Sequence, residues 1–228
     1  NDIQGRLDSF NGNWLSGINF IDEARLGSQD KLPAYVLENK GRNKYYFLPL
    51  ILGIIGLLYQ IKWDKENFFT LLLFFAFTGL AIIFYTNPKP FEPRERDYAY
   101  AGSFYAFAIW IGLSVFALYE ATKQMTVKKW LVGAGGFGAL ALIFLISGIT
   151  QGDFSVLFSW MMIGLITGLM LLIMTLLKKS PGKMRAIVAI ALTIGTPILM
   201  GVQGWDDHDR SGRTTRYLYR SKIPWMVL

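Results

Sequence analysis

The sequence predicts an all-α fold, a polytopic transmembrane helical bundle of about six spans. Hydrophobic residues make up 53% of the 228 residues, and charged residues only 17%. The apolar residues occur in blocks close to the 20 or so residues that a helix needs to cross a hydrocarbon core of about 30 Å. In a soluble domain, polar residues would interrupt these blocks at helical or strand periodicity.

Six apolar blocks follow one another along the chain, and each predicts one span. Pro49 lies in the opening turn of its span, where a missing N–H costs little, whereas Pro197 lies inside the last span and predicts a kink. The predicted spans are residues 46–61, 68–85, 99–119, 130–149, 155–177 and 186–204.

Two polar segments flank this six-span bundle of residues 46–204. Residues 1–45 carry a weak helical stripe of Leu15, Ile18, Ile21 and Leu26, which predicts a short amphipathic helix on the membrane surface. Residues 205–228 follow the bundle as a juxtamembrane polar motif and tail.

Charge and cysteine content exclude several classes of site. Lys and Arg number 23 and Asp and Glu 16, which leaves a formal charge of +7. The basic residues sit at the ends of the apolar blocks, so anionic lipid head groups explain them better than nucleic acid does. The chain has no cysteine, which excludes thiol nucleophiles and thiol metal sites. No charged residue falls inside a predicted span, and this argues against a proton-coupled transporter.

Two polar motifs stand out at the ends of the last four spans. An even number of crossings returns the chain to the same side of a membrane, so the two motifs are predicted to share one face. They are Asn87-Pro-Lys-Pro-Phe-Glu-Pro-Arg-Glu-Arg-Asp-Tyr98 and Gly204-Trp-Asp-Asp-His-Asp-Arg-Ser-Gly-Arg213.

The first motif is predicted to be a stiff, extended connector, because its three prolines fix φ and remove backbone donors. It displays Arg94, Arg96 and Asp97. A guanidinium can hold a phosphate through two parallel hydrogen bonds, which suits a lipid phosphate or phosphosugar. The alternative is a network of arginines and carboxylates that only ties helix ends together.

The second motif packs three carboxylates and the only histidine of the chain into residues 206–209. Oxygen and imidazole ligands at this density could hold a divalent metal such as Mg²⁺ or Mn²⁺. The favoured alternative is a salt-bridged turn in which Arg210 and Arg213 neutralise the acids. As a general base, Asp206 or Asp207 would need a raised pKa or close contact with an acceptor hydroxyl.

Two runs of small residues predict close contacts between helices. Residues 133–138 and 164–168 place small side chains four positions apart, which lets backbones approach. These contacts could form an interface with a partner subunit, but ordinary packing within one bundle is the favoured interpretation.

Counts of Lys and Arg do not by themselves orient the chain, because both predicted faces are basic. We expect the face without the motifs to be cytoplasmic, since its basic residues have few acids nearby. They are Lys62, Lys65, Lys123, Lys128, Lys129, Lys178, Lys179, Lys183 and Arg185.

Both motifs, together with Gly41-Arg-Asn-Lys-Tyr-Tyr-Phe-Leu-Pro-Leu50, resemble a family of large, uncharacterised bacterial membrane proteins. That family is grouped with polytopic glycosyltransferases of the GT-C type, similar to protein O-mannosyltransferases. The resemblance implies a bundle in the bacterial inner membrane, a polyprenyl-phosphate-linked sugar donor and chemistry on the periplasmic side. It also implies that this chain is a C-terminal membrane portion that lacks the usual catalytic loop.

Two functions are therefore expected, in order. In the first, a GT-C-like glycosyltransferase, Arg94, Arg96, Arg210 and Arg213 hold a lipid phosphate, and Asp97, Asp206 and Asp207 contact sugar or acceptor. In the second, the chain is a non-enzymatic membrane subunit or scaffold of an envelope assembly with a membrane-protein partner.

Overall fold

The computed structural model describes residues 15–27, 44–86 and 97–208, with the side chains of residues 25, 26, 97, 98 and 203–208 left out. Its described part contains α-helices and short 3₁₀ turns. The helices are α1 (Asn19–Leu26), α2 (Leu48–Trp63), α3 (Lys65–Thr78), α4 (Leu80–Thr86), α5 (Ala101–Gln124), α6 (Val127–Gln151), α7 (Ser155–Leu176) and α8 (Gly182–His208).

Five stretches are long and apolar enough to cross a membrane: Lys65–Thr86, Ala101–Gln124, Val127–Gln151, Ser155–Lys179 and Gly182–Val202. Helix α2 is apolar but shorter, at 16 residues, or about 24 Å at the standard helical rise. The predicted class is confirmed: the chain is a multi-pass membrane protein built as a helical bundle. Helix α8 is longer than the predicted span, beginning before residue 186 and continuing past residue 204 and through Pro197.

Short connections at one end of the bundle make successive helices antiparallel. A single residue, Asp64, separates α2 from α3, and its carboxylate caps α3 by accepting from the Asn67 backbone N–H. Thr126 caps α6 in the same way, accepting from the N–H of Lys129. Both caps satisfy backbone donors that a helix start leaves free. The lysine-rich turns therefore gather at this end, which we call the lysine-rich end.

Helix α5 occupies the centre of the bundle. It runs parallel to α2, with which it makes its most extensive contact, and antiparallel to α8. The buried core contains Leu52 of α2, Leu118 of α5, Met174 of α7 and Ala189 of α8, all fully shielded from solvent. Helix α6 packs mainly against α7 at the periphery of the described bundle.

Glycines determine how closely α5 approaches its neighbours. An added Cβ on Gly56 would clash with the carbonyl oxygen of Trp110, so the backbones of α2 and α5 meet there. An added Cβ on Gly79, between α3 and α4, would lie 2.9 Å from the Cβ of Ser103 on α5. Only a residue without a Cβ permits such contacts.

The prediction that the small residues at 133–138 pack within the bundle is wrong for the glycines of this run. Among the described residues, added Cβ atoms on Gly133, Gly135, Gly136 and Gly138 would meet no atom within 4 Å apart from the backbone of their own helix. In the second run, Gly164 does pack against the ring of Phe137, whereas Gly168 has open space. Glycine spacing predicts which helix faces a second helix could approach closely. At the glycines of α6, no helix in the described part of the chain makes such an approach.

Helix α1 lies at the opposite end of the bundle, which we call the motif-bearing end. Ile21 is fully buried, and Phe20 meets Phe158 of α7 edge to face, with ring centroids 5.7 Å apart. The Ser16 carbonyl accepts from the N–H of Tyr46, just before α2. Asp22 of α1 fixes the segment just before this helix, because its carboxylate accepts hydrogen bonds from Ser16 and Gly17.

Candidate functional site

The first motif ends at a 3₁₀ turn, Asp97–Tyr100, which leads directly into α5. The second motif begins in the last turns of α8, which reaches His208. The backbones of Asp97, Asp206 and Asp207 are therefore placed. Arg94, Arg96, Arg210 and Arg213 lie outside the described residues.

Two hydrogen-bonded contacts fix the register between α5 and α8. The Arg185 guanidinium donates to the Thr122 hydroxyl at 3.2 Å near the lysine-rich end. Eight residues along each helix, the hydroxyls of Ser114 and Thr193 lie 3.3 Å apart. Between these contacts the residue number falls by eight in α5 and rises by eight in α8. The two helices are therefore antiparallel and keep a constant register.

Continuing this register brings Ala101, at the start of α5, level with Asp206 of α8. The Asp97–Tyr100 turn precedes Ala101, so the three acids predicted to contact substrate come from neighbouring helix ends on one side of the bundle. The prediction that both motifs share a face thus agrees with the course of the helices at the described ends of the motifs.

Most other described acids at the motif-bearing end are occupied by local structure. Asp22 accepts from the backbone N–H groups of Ser16 and Gly17 at 2.8 and 3.1 Å. Asp153 accepts from the N–H of Ser155 at 2.8 Å, at the start of α7. Carboxylates engaged in this way stabilise turns. Chemistry at this end would therefore depend chiefly on the motifs themselves.

The lysine-rich end has a different charge pattern. Its described residues include nine basic side chains, those already named, and three acids: Asp64, Glu66 and Glu120. Lys62 donates to Gln124 at 2.8 Å, and Lys123 pairs with Glu120 at 3.2 Å on the exposed surface. Arg185 stacks over Tyr119, with 5.4 Å from its guanidinium carbon to the ring centroid.

A metal site cannot be assembled from the described residues, in which no group of three potential metal-ligating side chains occurs. The side chains of residues 206–208 are outside that description, so the proposed Mg²⁺ or Mn²⁺ site stays a prediction. The helical backbone here makes Asp206, Asp207 and His208 consecutive positions on one helix.

No family model, curated protein or solved structure matches this chain. The functional argument therefore depends on the chain's own residues and topology.

Sequence reasoning missed one polar feature inside the bundle. The hydroxyls of Ser114 and Thr193, on two different spans, meet and are both buried. Thr196 lies one turn further along α8 and is 1% exposed, and its hydroxyl has no hydrogen-bond partner among the described residues. Helix propensity and hydropathy carry no signal for such a pairing, because it depends on how each helix is rotated about its axis.

Proposed function

We propose that this chain is the membrane portion of a GT-C-like glycosyltransferase that uses a polyprenyl-phosphate-linked sugar at its motif-bearing face. The observation that carries this proposal is the antiparallel register of α5 and α8, fixed by the Arg185–Thr122 and Ser114–Thr193 contacts. Continued to the helix ends, this register predicts that Ala101 lies level with Asp206, so that the two motifs adjoin. The resemblance of both motifs to the GT-C group supports the same assignment.

The chemistry of the motifs suits a lipid-linked phosphate. Arg94, Arg96, Arg210 and Arg213 supply guanidinium groups, each of which can hold a phosphate through two parallel hydrogen bonds. Asp97, Asp206 and Asp207 supply carboxylates that can bind sugar hydroxyls. Most other described acids at this end already cap turns.

Membrane orientation follows from the same arrangement. Counts of Lys and Arg alone do not orient the chain, because both faces are basic. We place the lysine-rich end in the cytoplasm because its nine basic side chains have only three acidic side chains among the described residues of that end. The motif-bearing end then faces the periplasm of a bacterial inner membrane, where the proposed sugar transfer takes place.

Binding of polyprenyl phosphate to the purified full-length protein tests the proposal. Arg94→Glu and Arg210→Glu reverse charge in one motif each, and we expect either change to weaken binding at least about tenfold, since hydrogen bonds to charged groups are worth about 1.5–3 kcal/mol. Lys128→Glu makes the same charge change at the lysine-rich end and serves as the matched control. Unchanged affinity in both arginine variants would remove the basis for the lipid-phosphate site.

A second candidate is a non-enzymatic membrane subunit or scaffold of an envelope assembly. The specific observation in its favour is the glycine run of α6, which presents a flat face with no described neighbour in the chain. Gly136→Leu would block close approach of another helix without a clash inside the bundle. Loss of a stably co-purifying partner in this variant, with no sugar transfer by the unaltered protein, would favour the scaffold.

A further inference from the structure

Two basic side chains meet over one aromatic ring at the lysine-rich end. The guanidinium carbon of Arg185 on α8 lies 5.4 Å from the centre of the Tyr119 ring, and Nζ of Lys123 lies 5.0 Å from it. Glu120, on the same part of α5, already pairs with Lys123 at 3.2 Å. No acidic side chain among the described residues pairs with Arg185, whose guanidinium donates to the Thr122 hydroxyl instead.

Two polar atoms beside this ring are available to a ligand. Arg185 donates to Thr122 through Nη1, and among the described residues neither its Nη2 nor the Tyr119 hydroxyl makes a hydrogen bond. Neither atom belongs to the buried polar atoms that lack a partner, which include Nε of the same guanidinium. Both can therefore be reached from outside the protein.

Gly182, the first residue of α8, leaves a space next to both atoms. An added Cβ on Gly182 would lie 3.4 Å from the hydroxyl oxygen of Tyr119 and 3.7 Å from Nη2 of Arg185. Because glycine has no side chain, this place stays open, with one neutral and one charged hydrogen-bond donor at its border. Such a pair of donors suits an oxygen of an anion.

The turn between α7 and α8 brings three more positive charges to this space. Lys178 and Lys179 belong to the 3₁₀ turn Leu177–Lys179, which contacts α5. Lys183 directly follows Gly182, and all three lysine side chains are exposed. They raise the local concentration of anions without being committed to any one of them.

The position of this cluster favours a lipid over a soluble anion. Tyr119 lies near the end of the spanning helix α5, and Tyr, Lys and Arg at the end of a span mark the head-group layer. Exposed apolar side chains flank the α7–α8 turn: Leu176 precedes it, and Met184 and Ile187 follow it. A phosphate held at the turn would therefore have hydrocarbon-binding surface close by.

We propose that the space beside Gly182 binds the phosphate group of an anionic phospholipid, such as phosphatidylglycerol, from the membrane leaflet at the lysine-rich end. The phosphate oxygens accept hydrogen bonds from Nη2 of Arg185 and from the Tyr119 hydroxyl. The lysines of the turn attract the net negative charge. Phosphatidylcholine presents the same phosphate, but the lysines repel its ammonium group.

Native mass spectrometry of the full chain, released from a neutral detergent, tests the proposal by resolving each bound lipid. Phosphatidylglycerol and phosphatidylcholine with identical acyl chains are titrated separately. We expect the first phosphatidylglycerol to bind about tenfold more tightly, because each basic residue near the membrane surface favours an anionic lipid several-fold. Inorganic phosphate in large excess should not displace it, because free phosphate has no chains to place on the apolar surface.

Two variants connect the binding to the space beside Gly182. Tyr119→Phe keeps the ring under Arg185 and removes only the hydroxyl, so the affinity for phosphatidylglycerol should decrease about threefold. Gly182→Leu fills the space, and its Cβ meets both donors at ordinary van der Waals distance, so the fold should be kept. This variant should lose the preference for phosphatidylglycerol. Gly168→Leu on α7, also a glycine whose added Cβ has open space, is the matched control and should bind like the unaltered protein.

Each other result would overturn the proposal. Equal affinities for the two lipids would mean that the head group is not recognised, and displacement by inorganic phosphate would mean a soluble ligand. Unchanged affinity in Tyr119→Phe and Gly182→Leu would place the lipid elsewhere; if Gly182→Leu does not fold, Tyr119→Phe alone decides. The proposal is independent of the sugar-transfer function, because every substituted residue lies outside the two motifs.

Discussion

Trp110 donates its indole N–H to the side-chain oxygen of Gln60 across a distance of 2.8 Å in the α2–α5 interface. Both residues are buried, at 1% and 7% exposure. The bond joins α2 and α5, which run parallel. Both helices begin at the motif-bearing end, where Pro49 and the Asp97–Tyr100 turn lie. Within the membrane, neither group has water as an alternative partner.

The Gln60–Trp110 bond should be measurable as a coupling energy. Gln60→Leu and Trp110→Phe each leave one buried polar group unpaired, so each should lower the thermal unfolding midpoint in detergent. A double-mutant cycle should give a coupling of about 0.5–1.5 kcal/mol, within the range for hydrogen bonds between membrane helices. Trp63→Phe, at an exposed position, is the control, and strictly additive effects of the two changes would contradict the assigned bond.

Two glycines with different surroundings should respond oppositely to the same substitution. Gly56→Ala forces a Cβ against the Trp110 carbonyl and should destabilise the protein by about 1–3 kcal/mol, the usual cost of overpacking. In Gly136→Ala the new methyl group meets no neighbouring helix among the described residues. This variant should be neutral or stabilised by up to about 1 kcal/mol, because alanine favours helix over glycine. Equal unfolding midpoints for the two variants would show that α2 and α5 do not meet at Gly56.

The sequence was sufficient to predict the helical spans, because their length and hydropathy are properties of contiguous residues. It also predicted that the motifs share a face, since that depends only on the number of crossings. The contact partner of each polar or small residue could not be predicted from the sequence in the same way. Ser114 and Thr193 are 79 residues apart, and their contact depends on helix rotation, which a uniformly apolar helix surface does not encode.

The glycines show the same limit. The long run at 133–138 gave the stronger pattern, yet the close contacts between α5 and its neighbours are made by other glycines: Gly53 and Gly56 of α2, Gly79, and Gly102 of α5 itself. Glycine spacing predicts that a helix can be approached, whereas the presence of a neighbour depends on the tertiary arrangement. For the predicted site, only the backbones of Asp97, Asp206 and Asp207 fall within the described residues.

Asp22 should control the docking of α1. Asp22→Ala removes the acceptor for both N–H groups and the hydroxyl bound at Ser16 and Gly17. Leaving buried donors unpaired costs about 1–3 kcal/mol, so α1 should detach from α7 more often. Hydrogen–deuterium exchange of residues 15–27 should become faster while that of α5 is unchanged, and equal exchange in both proteins would contradict this role.

Packing of Arg185 on Tyr119 should stabilise the lysine-rich end. Arg185→Met removes the hydrogen bond to Thr122 and the stacking on the ring, and a cation over an aromatic face contributes about 0.5–2 kcal/mol. The thermal unfolding midpoint should therefore decrease. Lys183→Met, an exposed neighbour on the same helix, removes the same charge and should have little effect; a similar decrease in both variants would point to charge alone.

The central claim is that the two motifs lie on one membrane face, opposite the lysine-rich end. Because the chain has no cysteine, single cysteines at Arg94, Arg210, Gln151 and Lys128 can be labelled in intact cells with a membrane-impermeant maleimide. The account predicts labelling of the first three from the periplasm and of Lys128→Cys only after permeabilisation. Labelling of Arg94→Cys and Arg210→Cys from opposite sides would contradict the shared site.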